Sequence, residues 1–461
     1  MPRRGSRQSP PQEVRREGSI DCVGVVRAPL WFPPYGHPRK WRLHDAFSCG
    51  VFWRRWLTPG IKPNRNWVFA PTMETLGSRW LELISCDDRA RKEDLFKKSR
   101  DSSLDKSKVR LFGNDVEKQT TTRFADEIRL EPTVVRVGHR SFDRQYVIAD
   151  HRLMDTPRPD LWRARIPGQV FLSELHSVPL RTGPGLSFSN LIPSEGFFKG
   201  SEGGRLAPMY NPDGTSNAAP GLLEALSAEL GLDVSVEDLM AYVAGVVAHS
   251  AYTTTFEQEL QTPGVRVPLT RDPELWRQSV DLGQEVLWLH TFGQEFAGAG
   301  RGKSVVTSSP HQVKYLAAVK QLDDHYSYDP VSQTLSFGGG SWGPVPPQVM
   351  EYNTAGKKTV NAWFSYRKKS PVGKKTSPLD NIVATYWHAD WSIELTELLT
   401  VLAHLVSLEP RQEELLSQII AADHVTLTDL EQHHGVTWAQ TRNDRLPSIS
   451  LASATADGHL F

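Results

Sequence analysis

The sequence predicts an α+β chain in which a β-rich region is joined to a helical layer and a C-terminal pair of helices. Three observations predict it. Between 128 and 210, short strand-like runs such as "TVVRV", "RQYVIA" and "QVFLSEL" are separated by turns containing Pro and Gly. From 220 to 295, three segments carry helix start signals and apolar stripes at helical spacing. After Gly298 short alternating runs return, and then "DWSIELTELLTVLAHLVSLEP" places Leu395, Leu398, Leu402 and Leu405 on one stripe.

Taken in order, residues 1–45 are rich in Arg, Pro, Gly and Ser without periodicity and read as a poorly ordered basic leader. Region 46–215 is mixed and rich in strands and loops. Within it Thr72 or Thr75 can cap a helix carrying Leu76, Trp80, Leu81 and Ile84, and "RARKEDLFKKSRDSSLDKSK" is charged and partly helical. The helical layer spans 216–300. Pro220 suits the first turn of a helix that Gly231 stops, Ser235 with Asp238 forms a capping box, and Asp272-Pro273 opens the third helix. Region 301–389 reads as an antiparallel sheet built from "VKYLAAVKQL", "HYSYD", "QTLSF", "QVMEYN" and "TVNAWFSYR", with Asp329-Pro330 and Gly338-Gly339-Gly340 as turns. Residues 390–421 form the C-terminal helices, the second beginning at Pro410, and 422–461 is an ambiguous tail.

Composition narrows the functional classes. With 461 residues, 39% hydrophobic and 23% charged, the chain has ample core for several domains. No apolar run approaches the length of a membrane span and no apolar signal core follows the basic start, so a cytoplasmic location and no membrane partner are expected. Cys22, Cys49 and Cys86 are too few and too scattered for a disulfide framework or a Cys-rich zinc site. The net charge is zero, yet between Glu351 and Asp380 every charged residue is basic: Lys357, Lys358, Arg367, Lys368, Lys369, Lys374 and Lys375.

Several motifs fall just short of catalysis. "FPPY" at 32–35 differs by one residue from the Asn-Pro-Pro-Tyr of enzymes that methylate adenine in DNA. Phe32 supplies no acceptor for an exocyclic amine, and no strand with a Gly-rich cofactor turn precedes it. "TGPG" (182–185) and "LSFGGGSWG" (335–343) read as turns. "GAGRGKSVV" has Ala297 where a phosphate-binding loop needs Gly, and a helical pattern before it rather than a strand. His433-His434 lacks further ligands at metal spacing. No catalytic or metal-binding residue is therefore singled out.

Read together, "GIKPNRNWVFAP", "SRW", "LFKKSRD", "GHRSFDRQYVIADHRLMDTPRP", "GPGLSFSNLIP", "HSAY", "VNAWFSYRKKSP" and "SPLDNI" followed by "LLTVLAHLVSLEPRQ" resemble the C-terminal half of type ISP restriction-modification enzymes. The resemblance covers roughly residues 55–420. It implies sequence-specific recognition of double-stranded DNA for an adenine-N6 methyltransferase system, in a truncated or split enzyme without catalytic activity. S-adenosylmethionine, ATP and magnesium are then expected only in the full-length enzyme, and a separately encoded methyltransferase half is a candidate partner. The rival expectations are a degenerate fragment and a helical protein-interaction scaffold. Two segments fit DNA on physical grounds. "GKKTVNAWFSYRKKSPVGKK" mixes Lys357, Lys358, Arg367, Lys368, Lys369, Lys374 and Lys375 with Trp363 and Tyr366, so cations can meet phosphates while other side chains reach base edges. "RVGHRSFDRQYVIADHR" adds Arg140 and Arg144, with Arg136 and Arg152 alongside and Asp143 pairing with a local arginine.

The near miss at Phe32 yields a prediction. Calorimetry on the purified chain should show no saturable binding of S-adenosylmethionine, and Phe32→Asn should restore none, because one acceptor without a cofactor turn is useless. Saturable binding by the parent would overturn this reading.

Overall fold

Packing begins with capped helices whose start signals are local. In the computed structural model, which describes residues 43, 46–53, 56–108, 122–198, 204–298, 302–371, 373 and 375–438, the Thr72 hydroxyl accepts from the Thr75 amide and opens helix α1 (Met73–Ile84). Leu76, Trp80 and Leu83 are its buried face, while Leu81 stands exposed. Asp88 caps α2 (Arg89–Phe96) in the same way. All described residues belong to one unit, Trp41–Phe461, and the "FPPY" stretch and Cys22 lie outside them. Cys49 and Cys86 are free thiols, and burial pushes the Cys49 thiol well up.

Strand β1 (Phe69–Ala70) pairs antiparallel with β3 (Asp143–Ile148), which forms a hairpin with β2 (Val134–Arg140) in the register Val135↔Val147 and Val137↔Gln145. Val137 and Val147 point into a core shared with Trp67, Trp80, Phe124 and Leu153. A second antiparallel sheet has β4 (Phe171–Leu175) between β5 (Leu186–Ser189) and β6 (Gly204–Pro208). Every residue of β4 is buried, so the charge of Glu174 must be satisfied inside. Glu174 does this by accepting from Arg205 Nε at 2.6 Å and from the Val265 amide at 3.0 Å.

The helical layer follows the expected starts with two differences. Gly221, in the left-handed region, precedes α3 (Leu222–Leu230), so Pro220 lies outside the helix, whereas Gly231 ends it as expected. Ser235 and Asp238 form the expected capping box of α4 (Val236–Val247). The helical run breaks at Ala248, and the His249 side chain caps α5 (Ser250–Thr255) separately. Asp272 caps α6 (Pro273–His290). Helices α4 and α6 approach backbone to backbone at Gly245 and Gly283. A Cβ on Gly283 would stand 1.7 Å from the Ala241 carbonyl oxygen, and one on Gly245 2.4 Å from that of Ser279.

Beyond Gly298 the chain forms a four-stranded antiparallel sheet in the order β7 (Lys314–Ala317), β10 (Gly340–Gly343), β9 (Thr334–Phe337), β8 (Ser327–Asp329). The Gly302 carbonyl accepts from the Trp288 indole of α6, so "GKS" follows a helix and not a strand. The expectation of strands further on is corrected. "QVMEYN" opens as a one-turn helix, Pro347–Glu351, with Pro347 in its first turn. "TVNAWFSYR" opens as helix α7 (Thr359–Phe364), with buried Val360, Trp363 and Phe364 at i, i+3 and i+4.

The expected C-terminal pair is one continuous helix, α8 (Ala389–Ala421), with Pro410 inside it. Proline at an interior position forfeits a hydrogen bond and costs about 3 kcal/mol in an isolated helix. Burial continues on both sides of it, through Leu402, Leu405 and Leu408 before and Gln412, Leu415, Leu416 and Ile419 after, so packing carries the helix across. By length and composition α8 could cross a membrane, contrary to the expectation from sequence, but most of its apolar window is buried within the protein.

Two substitutions test this packing. Gly283→Ala should destabilise the chain by about 3 kcal/mol or more, since neither helix backbone can yield cheaply. Leu398→Asp should cost a comparable amount through a buried unpaired charge. Urea unfolding of both variants with the parent's midpoint would show that α4, α6 and α8 are not the core.

Candidate nucleic-acid interface

The turn after α7 is fixed by Arg367. Its side chain is fully buried, with Nη1 donating to Asp143 Oδ1 at 2.7 Å and to the Trp363 carbonyl at 3.2 Å. Nη2 donates to the Arg144 carbonyl at 3.2 Å and pairs with Glu394 Oε2 at 3.3 Å, and the guanidinium lies 4.3 Å from the Trp363 ring centroid. Glu394 also takes Arg136, while Arg144 pairs with Glu397 and stacks over Phe292 at 3.6 Å. Burial lowers the Arg144 pKa.

This geometry corrects three expectations and part of a fourth. Trp363, Arg367 and Arg144 do not face solvent as DNA contacts, because acids distant in sequence fold against the two arginines and core side chains enclose the indole. Asp143 is structural as expected, but its arginine lies 224 residues away rather than nearby. Arg152, too, is internal: it is enclosed with Glu127 and Asp150.

Of the remaining cations, Arg140 and Lys357 come together. Arg140 donates from Nε to the Tyr366 hydroxyl at 3.3 Å across 226 residues of sequence, and from Nη1 to the Gly196 carbonyl. Half-buried Tyr366 stands edge-on to His139 with centroids 4.9 Å apart, and His139 in turn contacts the Phe69 ring at 4.8 Å. Lys357 is half-buried beside Arg140; burial first, and then that like charge, lowers its pKa. Exposed Lys358 pairs with Glu351. Lys368 is half-buried and Lys369 exposed on the turn that Arg367 anchors. Exposed Lys375 donates to Asn381 Oδ1 at 2.5 Å. Lys374 lies outside the described residues.

The acid-free sequence is not acid-free in space. The Lys369 amide donates to the Asp323 carbonyl at 2.9 Å, and the Asp324 carboxylate accepts from the Ser370 amide at 2.8 Å. That backbone hydrogen bond first, with Lys368 and His325 nearby, lowers the Asp324 pKa. Sequence reasoning missed Phe69 and His139 as neighbours of the patch. Only the position of His139 beside Arg140 in the hairpin hinted at the latter. Among the described residues no cluster of His, Cys, Asp and Glu could hold a metal ion.

Where the β2–β3 hairpin meets the turn after α7, Arg140, Tyr366, His139 and Phe69 thus lie together. The model of the Type ISP C-terminal specificity domain matches residues 53–398, and the chain belongs to that family. Among solved structures, the chain is similar to the DrdV–DNA complex, with a TM-score of 0.51 at 17% identity over 81% of this chain and 36% of that one. It is also similar to the ATP-dependent Type ISP restriction-modification enzyme LlaBIII bound to DNA, with a TM-score of 0.53 at 15% identity over 84% of this chain and 25% of that one. At such identities the likeness is one of fold, and the chain spans well under half the length of either of those chains. No curated protein sequence matches it.

The contrast between buried and exposed cations is testable by unfolding. Arg367→Ala should destabilise the chain by about 3–5 kcal/mol, because Asp143 loses its charged partner inside the protein. Lys369→Ala should stay within about 0.5 kcal/mol of the parent. Equal effects in urea melts would mean that Arg367 is not the anchor described.

Proposed function

We propose that this chain reads the double-stranded DNA target of a type ISP restriction-modification system, using the face formed by Arg140, Lys357, Lys358, Tyr366, Lys368, Lys369 and Lys375. The observation that carries the reading is convergence: the β2–β3 hairpin and the segment after α7, remote in sequence, meet at Arg140 and Tyr366. Family membership supports it, since the matched region is a specificity domain. The DNA in the DrdV and LlaBIII structures agrees with the same role. In this reading the chain works in the cytoplasm beside a separately encoded adenine-N6 methyltransferase half. S-adenosylmethionine, ATP and magnesium belong to the catalytic parts of such a system. Lysines contact phosphates and set affinity, while Tyr366 and the neighbouring polar groups approach the bases.

Binding measured across salt concentrations tests this, with and without a methyltransferase half. Affinity should fall with salt at a log–log slope of roughly −0.9 per phosphate neutralised. Lys368→Ala with Lys369→Ala should weaken binding to all sequences alike and flatten the slope by up to about two units. An unchanged slope and affinity would remove the turn from the interface and favour a scaffold or a degenerate fragment.

A further inference from the structure

Beside the Tyr366 turn lies a small cavity walled by Phe197, Phe198 and Ala362 and reached by Arg140, Lys357 and Thr359. Its polar groups are unevenly satisfied. The Ser141 hydroxyl is committed to Ser187 at 2.9 Å and to Thr354 at 3.2 Å. By contrast, the Thr359 hydroxyl is buried and has no hydrogen-bond partner, although a buried unsatisfied hydroxyl is costly. Lys357 has no ion-pair partner among the described residues, and Glu351 is taken by its neighbour Lys358. Asp143, the acid whose field reaches Lys357, is bound to Arg367.

Arg140, Lys357 and Thr359 therefore line one mainly apolar recess, and no acidic residue lines it. We propose that this cavity receives one oxygen of a phosphoryl group, held by Lys357 and Arg140 and by a hydrogen bond donated from Thr359. The proposal rests on the DNA-recognition reading for one of its two sources, a backbone phosphodiester; free phosphate presents the same oxygen chemistry. The recess is small and suits a single oxygen atom with the rest of the group outside. A further sign of uncompensated positive potential is the adjacent His139: burial first, and then Arg140, Lys357 and Arg367, hold its imidazole well below the usual range.

The test uses the full chain with Thr359→Val, which removes only the hydroxyl, and Lys357→Gln. Inorganic phosphate should raise the parent's melting midpoint beyond a chloride control of equal ionic strength, and both variants should bind phosphate at least about tenfold more weakly. Without phosphate, Thr359→Val should melt like the parent or higher, because its hydroxyl has no partner to lose. If the phosphoryl group is the DNA backbone's, Lys357→Gln also flattens the salt slope by about 0.9. A lost phosphate response with an unchanged slope assigns the site to free phosphate. If the parent binds no DNA yet keeps the phosphate response, the recognition reading fails and the site stands. Absence of any phosphate response, with an unchanged DNA slope, overturns the proposal.

Discussion

A guanidinium keeps its charge at any pH a protein meets, so a fully enclosed arginine can exist only where acids or backbone carbonyls are delivered to it. Arg367 is such a residue. Its acids come from the start of β3, as Asp143, and from the first turns of α8, as Glu394. Around it Arg136, Arg144 and Arg367 face Asp143, Glu394 and Glu397, three positive against three negative charges. This neutral assembly joins the hairpin, the turn after α7 and the longest helix. The position of the basic turn is a consequence: Lys368 and Lys369 follow Arg367 directly, and where it is anchored they must emerge.

The same division of labour recurs through the fold. Arg65 is buried and gathers the carbonyls of Pro63, Phe96 and Leu153, while Arg79 gathers those of Trp67, Phe69 and Ile382. A planar fork of five donors, weakly hydrated, suits collecting carbonyls and carboxylates inside a protein. An ammonium is strongly hydrated and stays near water, as Lys358, Lys369 and Lys375 do. Arg65, Arg79, Arg152 and Arg367 are struts, and lysines form most of the proposed cationic face.

That division also explains what was legible in the sequence. Helix starts at Thr72, Ser235 and Asp272 could be read because a cap is a contact between residues two or three apart. The α+β class followed from periodicities of similar range. The roles of Arg144, Trp363 and Arg367 depend on partners hundreds of residues away or on burial, so their cationic and aromatic character pointed outward when the fold turns them inward. Helix α7 was misread because a single turn and a half offers too few residues to separate a period of 3.6 from one of 2. Pro410 misled for the opposite reason: the local rule was clear, and tertiary packing on both sides outweighed it.

A chain of 53 basic and 53 acidic residues can still present a cationic face, because screening makes charge a local quantity. At physiological ionic strength the Debye length is about 8 Å, so a phosphate at this face responds chiefly to its immediate neighbours. In the proposed face the cations are Arg140, Lys357, Lys368, Lys369 and Lys375, with Asp323 and Asp324 held beside the Lys369 turn and Lys358 already matched by Glu351. The two aspartates reduce the excess, and they also shape the turn. By holding the Lys369 and Ser370 amides they fix the turn's backbone, so less conformational freedom is left to lose when a partner arrives. An acid placed under a basic turn thus exchanges some attraction for a defined shape.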